Sequence, residues 1–237
     1  MYRLLADLGD PHTRLPPVIH IAGTNGKGST AAFLRASLEA SGKTVSAYTS
    51  PHLIRFAERY YIAGAVLKDS ELLTLFEEIA EKNAGQAITE FEITTAAAFI
   101  AISRVEADIA ILEVGLGGRF DATNVVKSPL ATVITRIAMD HMNFLGETLP
   151  EIAGEKAAIQ KRGVPSIVGP QDDAAMNVIT AAAANADAPL YRAGYEWSIS
   201  PNERGNGGIY QRGDRDISLP PPAYRGRKQE GGGGRKR

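Results

Sequence analysis

The chain of 237 residues contains no cysteine. That excludes a disulfide framework, a thiolate-bound metal and a cysteine nucleophile, and it suits a cytoplasmic protein. Long hydrophobic runs are missing too: stretches such as Ile109 to Leu112 fall far short of the roughly 20 residues a membrane helix needs. No basic segment followed by an apolar one opens the chain, so a secretory leader is not expected. Net charge is nearly absent, with 26 Lys and Arg against 27 Asp and Glu. A formal charge of −1 gives no global reason to expect nucleic acid or an anionic membrane as a partner.

What is present is an alternation. Short apolar runs rich in Val and Ile recur at residues 18–22, 44–48, 108–114, 130–137 and 164–169 and read as buried strands. Longer stretches with helical spacing lie between them, at 29–42, 70–83, 91–105 and 148–163. Buried strands alternating with helices predict an α/β fold, a mostly parallel sheet with helices on both faces. Gly42 sits where a glycine ends a helix, Ser70 is placed to cap one, and Thr148 with Glu151 has capping-box spacing. After about residue 195 turn residues dominate, as in a hairpin or meander. The expected division is a domain over 1–222, with its core at 15–170, and a disordered basic, glycine-rich tail over 223–237.

The stretch HIAGTNGKGSTAAF, residues 20–33, runs from a strand through Gly23, Thr24, Asn25, Gly26, Lys27, Gly28, Ser29 and Thr30 into a helix. Glycines allow a tight turn and let backbone N–H groups approach a polyanion. The helix start adds unpaired donors, Lys27 a full charge, and Ser29 or Thr30 a hydroxyl for phosphate or a phosphate-bound metal. The expectation is a P-loop-type site for nucleotide phosphates. The strict pattern is not met, because Ile21 stands at its first glycine and Gly28 separates Lys27 from the hydroxyls.

Three more polar clusters follow strands, where ligands of parallel sheets collect. TSPHL (49–53) brings Ser50, Pro51 and His52. EVGLGGRFDATN (113–124) ends an apolar strand on Glu113, whose carboxylate needs a partner such as a divalent cation; the bland alternative pairs Glu113 or Asp121 with Arg119. MDHMNFLG (139–146) brings Asp140 and His141, between which spacing does not choose, although magnesium's preference for oxygen nominates Asp140 first. Lys156 lies on a predicted helix and by default is solvated or paired with Glu155 or a more distant acid. Phe91 opens an alanine-rich helix whose default role is close packing, with a substrate contact as the alternative.

Taken together, HIAGTNGKGST, YTSPHLIRFAER, FEITTAAAF, LEVGLGGRFDATN, MDHMNFLGETLPEIAGEKAAI and KRGVP resemble the dihydrofolate synthase/folylpolyglutamate synthase family in order and spacing. Peptidoglycan (Mur) ligases of the same superfamily share the glycine loop but not TSPHL with LEVGLGG, and are the second choice. The resemblance implies a Mur-ligase central-domain-like fold and an ATP- and Mg2+-dependent amide ligase. Such an enzyme phosphorylates the carboxylate of dihydropteroate or a folate, and the amine of L-glutamate then displaces phosphate. It further implies that residues 23–30 bind ATP phosphates and that Ser50, Glu113 and His141 are the magnesium ligands. Lys27, Lys156 and His141 would be catalytic, with Lys156 carbamylated, and Ser50, Pro51, His52, Phe91 and Asp140 would line the substrate site. No nucleic-acid or membrane partner is implied, and a monomer is expected.

The chain departs from the family in places. Ala57 replaces the asparagine usual in RFNER, and IAMDHMNFLG stands for the commoner IGLDHTDYLG. The family continues into a second α/β domain that supplies further ATP-binding residues, whereas LPPPAYRGRKQE here gives way to GGGGRKR. That implies a missing C-terminal domain and impaired ligase activity, the alternative being a non-catalytic nucleotide-binding remnant.

Overall fold

Aliphatic runs with no polar face are stable as strands only when both faces are covered. The computed structural model, which describes residues 1–201, 208–213 and 215–219, covers them so. Strands β1 (Val18–Ala22), β2 (Val45–Tyr48), β3 (Tyr60–Ile62), β4 (Ala65–Val66), β5 (Ile109–Glu113), β6 (Ala131–Ile134), β7 (Ser166–Val168) and β8 (Leu190–Arg192) form one sheet in the order β4-β3-β2-β5-β1-β6-β7-β8. From β2 to β8 all pairings are parallel; β3 and β4 add an antiparallel edge through a turn at Ala63 and Gly64, both at positive φ. The expected α/β fold with a mostly parallel sheet is what the chain adopts.

Helices α1 (Tyr2–Asp7), α2 (Lys27–Ala40), α3 (Asp69–Asn83), α4 (Glu90–Ser103), α5 (Met142–Leu145), α6 (Leu149–Ala157) and α7 (Asp173–Ala186) complete this part. Ile19, Ile21, Val45, Ala47 and Ile111 face Ala31 of α2. Val18, Tyr48, Ala110 and Leu112 face α4, so alternate residues of the same strands serve opposite layers. Helix α4 is buried continuously from Thr94 to Ile102, and its alanines let it lie close to the sheet while the Phe99 ring lies 6.5 Å from that of His12. Burying a ring such as Phe99 is worth about 2–3 kcal/mol.

The capping box of α6 forms as the spacing predicts, Thr148 accepting from the Glu151 N–H and Glu151 from the Thr148 N–H. Gly42, at φ 84°, follows the end of α2. Ser70 does not cap α3. The helix starts one residue earlier, after Lys68, whose N–H donates to Glu71 at 2.8 Å, and Ser70 sits in the first turn.

The chain divides into two compact units, Met1–Arg192 and Ala193–Arg237. The second holds an antiparallel meander of β9 (Ser198–Pro201), β10 (Gly208–Arg212) and β11 (Arg215–Leu219), in keeping with the turn-rich sequence. The tail expected at 223–237 lies outside the described residues. Among the described residues no helix is long and apolar enough to cross a membrane.

Because β1, β2, β5 and β6 run the same way, the segments that follow them gather at one edge. Strand β1, between β5 and β6, places the glycine loop at the centre of that edge.

Candidate functional site

The glycine loop leaves β1 through Gly23, at φ 148°, where a Cβ would stand 1.9 Å from Thr135 Oγ1. No other residue fits that corner. The Thr24 and Asn25 N–H groups both donate to the Arg136 carbonyl, at 2.9 and 3.1 Å, and the Thr24 hydroxyl bridges Ala138, so these two tie the loop to the segment after β6. Gly26, at φ 86°, turns the chain into α2. The first bond inside the helix runs from the Thr30 N–H to the Gly26 carbonyl, which leaves the N–H groups of Lys27, Gly28 and Ser29 without partners in the helix. The Thr30 hydroxyl turns back to the Gly26 carbonyl at 2.8 Å.

Two ammonium groups converge beneath this loop. Lys27 Nζ and Lys156 Nζ each donate to the Gly23 carbonyl at 3.1 Å. The default reading of Lys156 as solvated or paired with Glu155 is overturned: its residue is 3% exposed, and Glu155 pairs instead with Arg119 at 2.8 Å. Burial, with the Lys27 charge adding to it, brings the Lys156 pKa down to about 8. Arg119 likewise does not pair with Glu113 or Asp121, as the bland reading of that loop had it.

Glu113 is 3% exposed and forms no ion pair among the described residues. It accepts the Ser50 N–H at 3.3 Å, and it lies beside Gly28, whose added Cβ would come 3.7 Å from Glu113 Oε2. Burial raises its pKa, against the opposing charge of Lys27. Thr24, Gly26, Lys27, Gly28, Ser29, Ser50, Pro51 and Glu113 share one cavity of about 590 Å³. A buried carboxylate beside Lys27 and unpaired helix donors is chemically suited to phosphates with a divalent cation.

The structure does not bring every predicted residue into that cavity. His52 accepts from Arg59 Nε at 3.2 Å and packs edge-on against Phe56, outside the cavity lining. Asp140 and His141 sit on the loop after β6, about half exposed and 3.5 Å apart, with His141 in the left-handed region at φ 49°. Among the described residues no hydrogen bond or ion pair joins His141 to Glu113. Among the described residues no group of three His, Cys, Asp or Glu is placed to hold a metal ion.

Phe91 lines a second, more apolar cavity of about 710 Å³ with Leu116, Phe120, Phe144 and Leu145. Its ring fills the place of a side chain on Gly115, where a Cβ would meet it at 2.3 Å.

The sequence passed over His20. It is fully buried on β1, and its Nε2 stands 2.8 Å from Thr123 Oγ1, whose hydroxyl donates to Asp121. Asp121 also accepts the N–H groups of Gly115, Leu116 and Thr123 at 2.9–3.0 Å, which fixes the glycine loop after β5. With the Thr123 proton committed to Asp121, His20 must carry its own proton on Nε2. Burial, with Lys161 adding to it, holds its pKa down at about 3, so the ring is neutral. Thr123→Val leaves the His20 N–H and one Asp121 acceptor unsatisfied, at an expected cost of about 2 kcal/mol, read as a melting temperature lower by about 4–8 °C. An unchanged melting temperature would show that the relay contributes nothing.

Comparison with known proteins gives a consistent answer. Residues 21–200 match the family model described as the Mur ligase middle domain. The chain is 46% identical over 198 residues to the dihydrofolate synthase/folylpolyglutamate synthase of Bacillus subtilis, covering 80% of this chain and 45% of that protein. It is 41% identical over 185 residues to the Escherichia coli protein of the same name, covering 78% and 43%. Among solved structures, E. coli FolC in complex with ADP superposes with a TM-score of 0.85 at 36% identity, over 92% of this chain and 52% of that one. The chain thus spans about half the length of the curated relatives it matches.

Proposed function

The chain belongs to the Mur ligase family, in its dihydrofolate synthase/folylpolyglutamate synthase branch of ATP-dependent ligases, and on that premise we propose that it carries the nucleotide and acceptor sites of a folate-forming amide ligase. The acceptor is dihydropteroate or a folate, the amine is L-glutamate, and the γ-phosphoryl group of ATP activates the acceptor carboxylate before the amine displaces phosphate. The observation that carries this reading is the single cavity in which Lys27 and the start of α2 face Glu113 and Ser50. Solved relatives described as an AMPPCP and folate complex and as a complex with Mn, AMPPNP and L-glutamate support it.

In this reading the N–H groups of Lys27, Gly28 and Ser29 hold the phosphates, and Lys27 leaves the Gly23 carbonyl to neutralise charge that develops on the transferred group. Glu113 and Ser50, with His141 brought in from its exposed loop, are the groups that would hold magnesium, which supplies charge neutralisation when bound. Lys156, with its pKa near 8, keeps a usable fraction of neutral amine. That amine can add to CO2 with loss of a proton, turning a cation into a carboxylate. The rings of Phe91, Phe120 and Phe144 suit the flat aromatic part of the acceptor. We place the protein in the cytoplasm as a monomer.

The test is thermal unfolding with and without Mg-ATP. A ligand that prefers the native state must raise the melting temperature, and Lys27→Met should lose most of that shift while melting normally alone. No shift in the unmodified chain would remove the nucleotide site. ADP production that requires both dihydropteroate and L-glutamate would then separate a working ligase from a remnant that only binds.

A further inference from the structure

Gln171 does not line the nucleotide cavity, yet its side chain grips the segment on which the glycine loop rests. It stands three residues beyond β7 and is partly buried. Its Nε2 donates to the Thr135 carbonyl at 2.8 Å, and its Oε1 accepts the Ile137 N–H at 2.9 Å. A parallel ladder has this pattern: a residue donates to the residue before its neighbour on the next strand and accepts from the residue after it. The side-chain amide of Gln171 thus takes the place of a strand, with Arg136 as its neighbour. In such a ladder the neighbour's own carbonyl points the other way. On that other side the Arg136 carbonyl accepts from the Thr24 and Asn25 N–H groups, at 2.9 and 3.1 Å.

We infer that Gln171 is a positioning residue for phosphate binding, which holds the Arg136 carbonyl toward the glycine loop and so keeps that loop in its binding shape; this rests on the nucleotide site proposed above. The reason lies in a change of register where β6 ends. The Ile134 carbonyl accepts the Gly169 N–H at 2.9 Å, and the next carbonyl, that of Thr135, accepts from Gln171. Two successive carbonyls therefore face the segment after β7. In an unbroken strand they would alternate, and Arg136 would turn its carbonyl toward that segment and away from the glycine loop. Gln171 bonds on both sides of Arg136 and so favours the shifted arrangement. The same segment receives the Thr24 hydroxyl, which bonds the Ala138 N–H and carbonyl, both at 3.1 Å. The adjacent Arg136–Asp172 ion pair is about half exposed and adds little. A loop held in advance loses less freedom when a ligand arrives, which is gained as affinity.

The test combines amide hydrogen exchange of the ligand-free full chain with calorimetric titration by AMPPCP and magnesium, in the unmodified protein, Gln171→Leu and Ile79→Val. Leucine is close to glutamine in size and makes neither bond. Ile79, 1% exposed on α3, lies in the core and lines no part of the cavity, so its substitution lowers stability alone. The expected result in Gln171→Leu is exchange about tenfold or more faster at the Thr24 and Asn25 amides, unchanged exchange at Ile111 and Leu112 of β5, and AMPPCP binding about tenfold weaker. Ile79→Val should melt lower and bind AMPPCP as before. The proposal is overturned by unchanged exchange at Thr24 and Asn25, by exchange accelerated uniformly along the chain, by unchanged AMPPCP affinity in Gln171→Leu, or by an equal loss of affinity in Ile79→Val. Failure of AMPPCP to bind the unmodified chain counts against the nucleotide site alone, since exchange in the ligand-free chain still judges the hold of Gln171 on the loop. If Gln171→Leu does not fold, Gln171→Glu decides by the same two measurements, because it keeps an acceptor for the Ile137 N–H and loses only the donor to Thr135.

Discussion

Gly118→Ala should cost about 3 kcal/mol and lower the melting temperature by about 6–12 °C. The added Cβ would stand 2.6 Å from the Glu155 carbonyl oxygen and 3.1 Å from Lys156 Cα. Both belong to the backbone of α6, so no side-chain rotation relieves the contact, and the glycine loop must separate from the helix. The Arg119 N–H bond to the Glu155 carbonyl, at 2.9 Å, and the Arg119–Glu155 ion pair would move with it. Lys156 would shift from the Gly23 carbonyl, so any stabilisation by Mg-ATP should shrink as well. Gly28→Ala is the matched control for the fold, because its Cβ meets nothing closer than 3.7 Å and the position is helical. Gly118→Ala melting within about 2 °C of the unmodified chain would mean that α6 yields easily and that the loop is not held as described.

That contact explains why part of the site could not be read in advance. The strands were legible because continuous runs such as DIAILEV suit only a strand covered on both faces, and the glycine loop because strand, glycines, lysine and helix follow one another directly. The short β3–β4 hairpin was missed although Tyr60, Tyr61 and Ile62 before Ala63-Gly64 carry its signal. Helix α7 was missed although Ala175, Met176, Ile179 and Ala183 give Asp173–Ala186 a buried stripe at helical spacing, because two of those four positions are alanines that stand out little among its other alanines. The burial of Lys156 had no local signal at all. Its surroundings come from three segments far apart in the chain: the glycine loop with the Gly23 carbonyl and Lys27, then Asp121, then Asp140. The tight docking of α6 depends on the absence of a Cβ at Gly118. Asp121 follows a strand among polar residues, as the spacing shows, but its work is internal, accepting the donors that shape the loop.

Lys156→Met should make the ligand-free protein more stable at pH 7, by about 2 kcal/mol, while weakening whatever chemistry the site performs. In the folded protein burial and the Lys27 charge bring the Lys156 pKa from 10.5 to about 8, a shift worth roughly 3 kcal/mol against folding when the amine is charged. The sign follows from proton counting. Between pH 8 and pH 10.5 the unfolded chain holds a proton that the folded chain has released, so this group makes stability rise with pH across that window. Below pH 8 both states are protonated and the full penalty persists. Methionine has similar length and no charge, and the Gly23 carbonyl keeps Lys27 as a donor at 3.1 Å, so the substitution leaves no acceptor stranded. Unfolding in denaturant, in buffers stripped of CO2, should therefore show the gap between Lys156→Met and the unmodified chain widest at pH 7 and closing toward pH 10.5. A gap that is absent, reversed or independent of pH would mean that the ammonium of Lys156 is solvated or paired in solution. Two ammonium groups against one carbonyl thus tie the stability of the ligand-free protein to the charge of Lys156, which carbamylation of the proposed kind would remove.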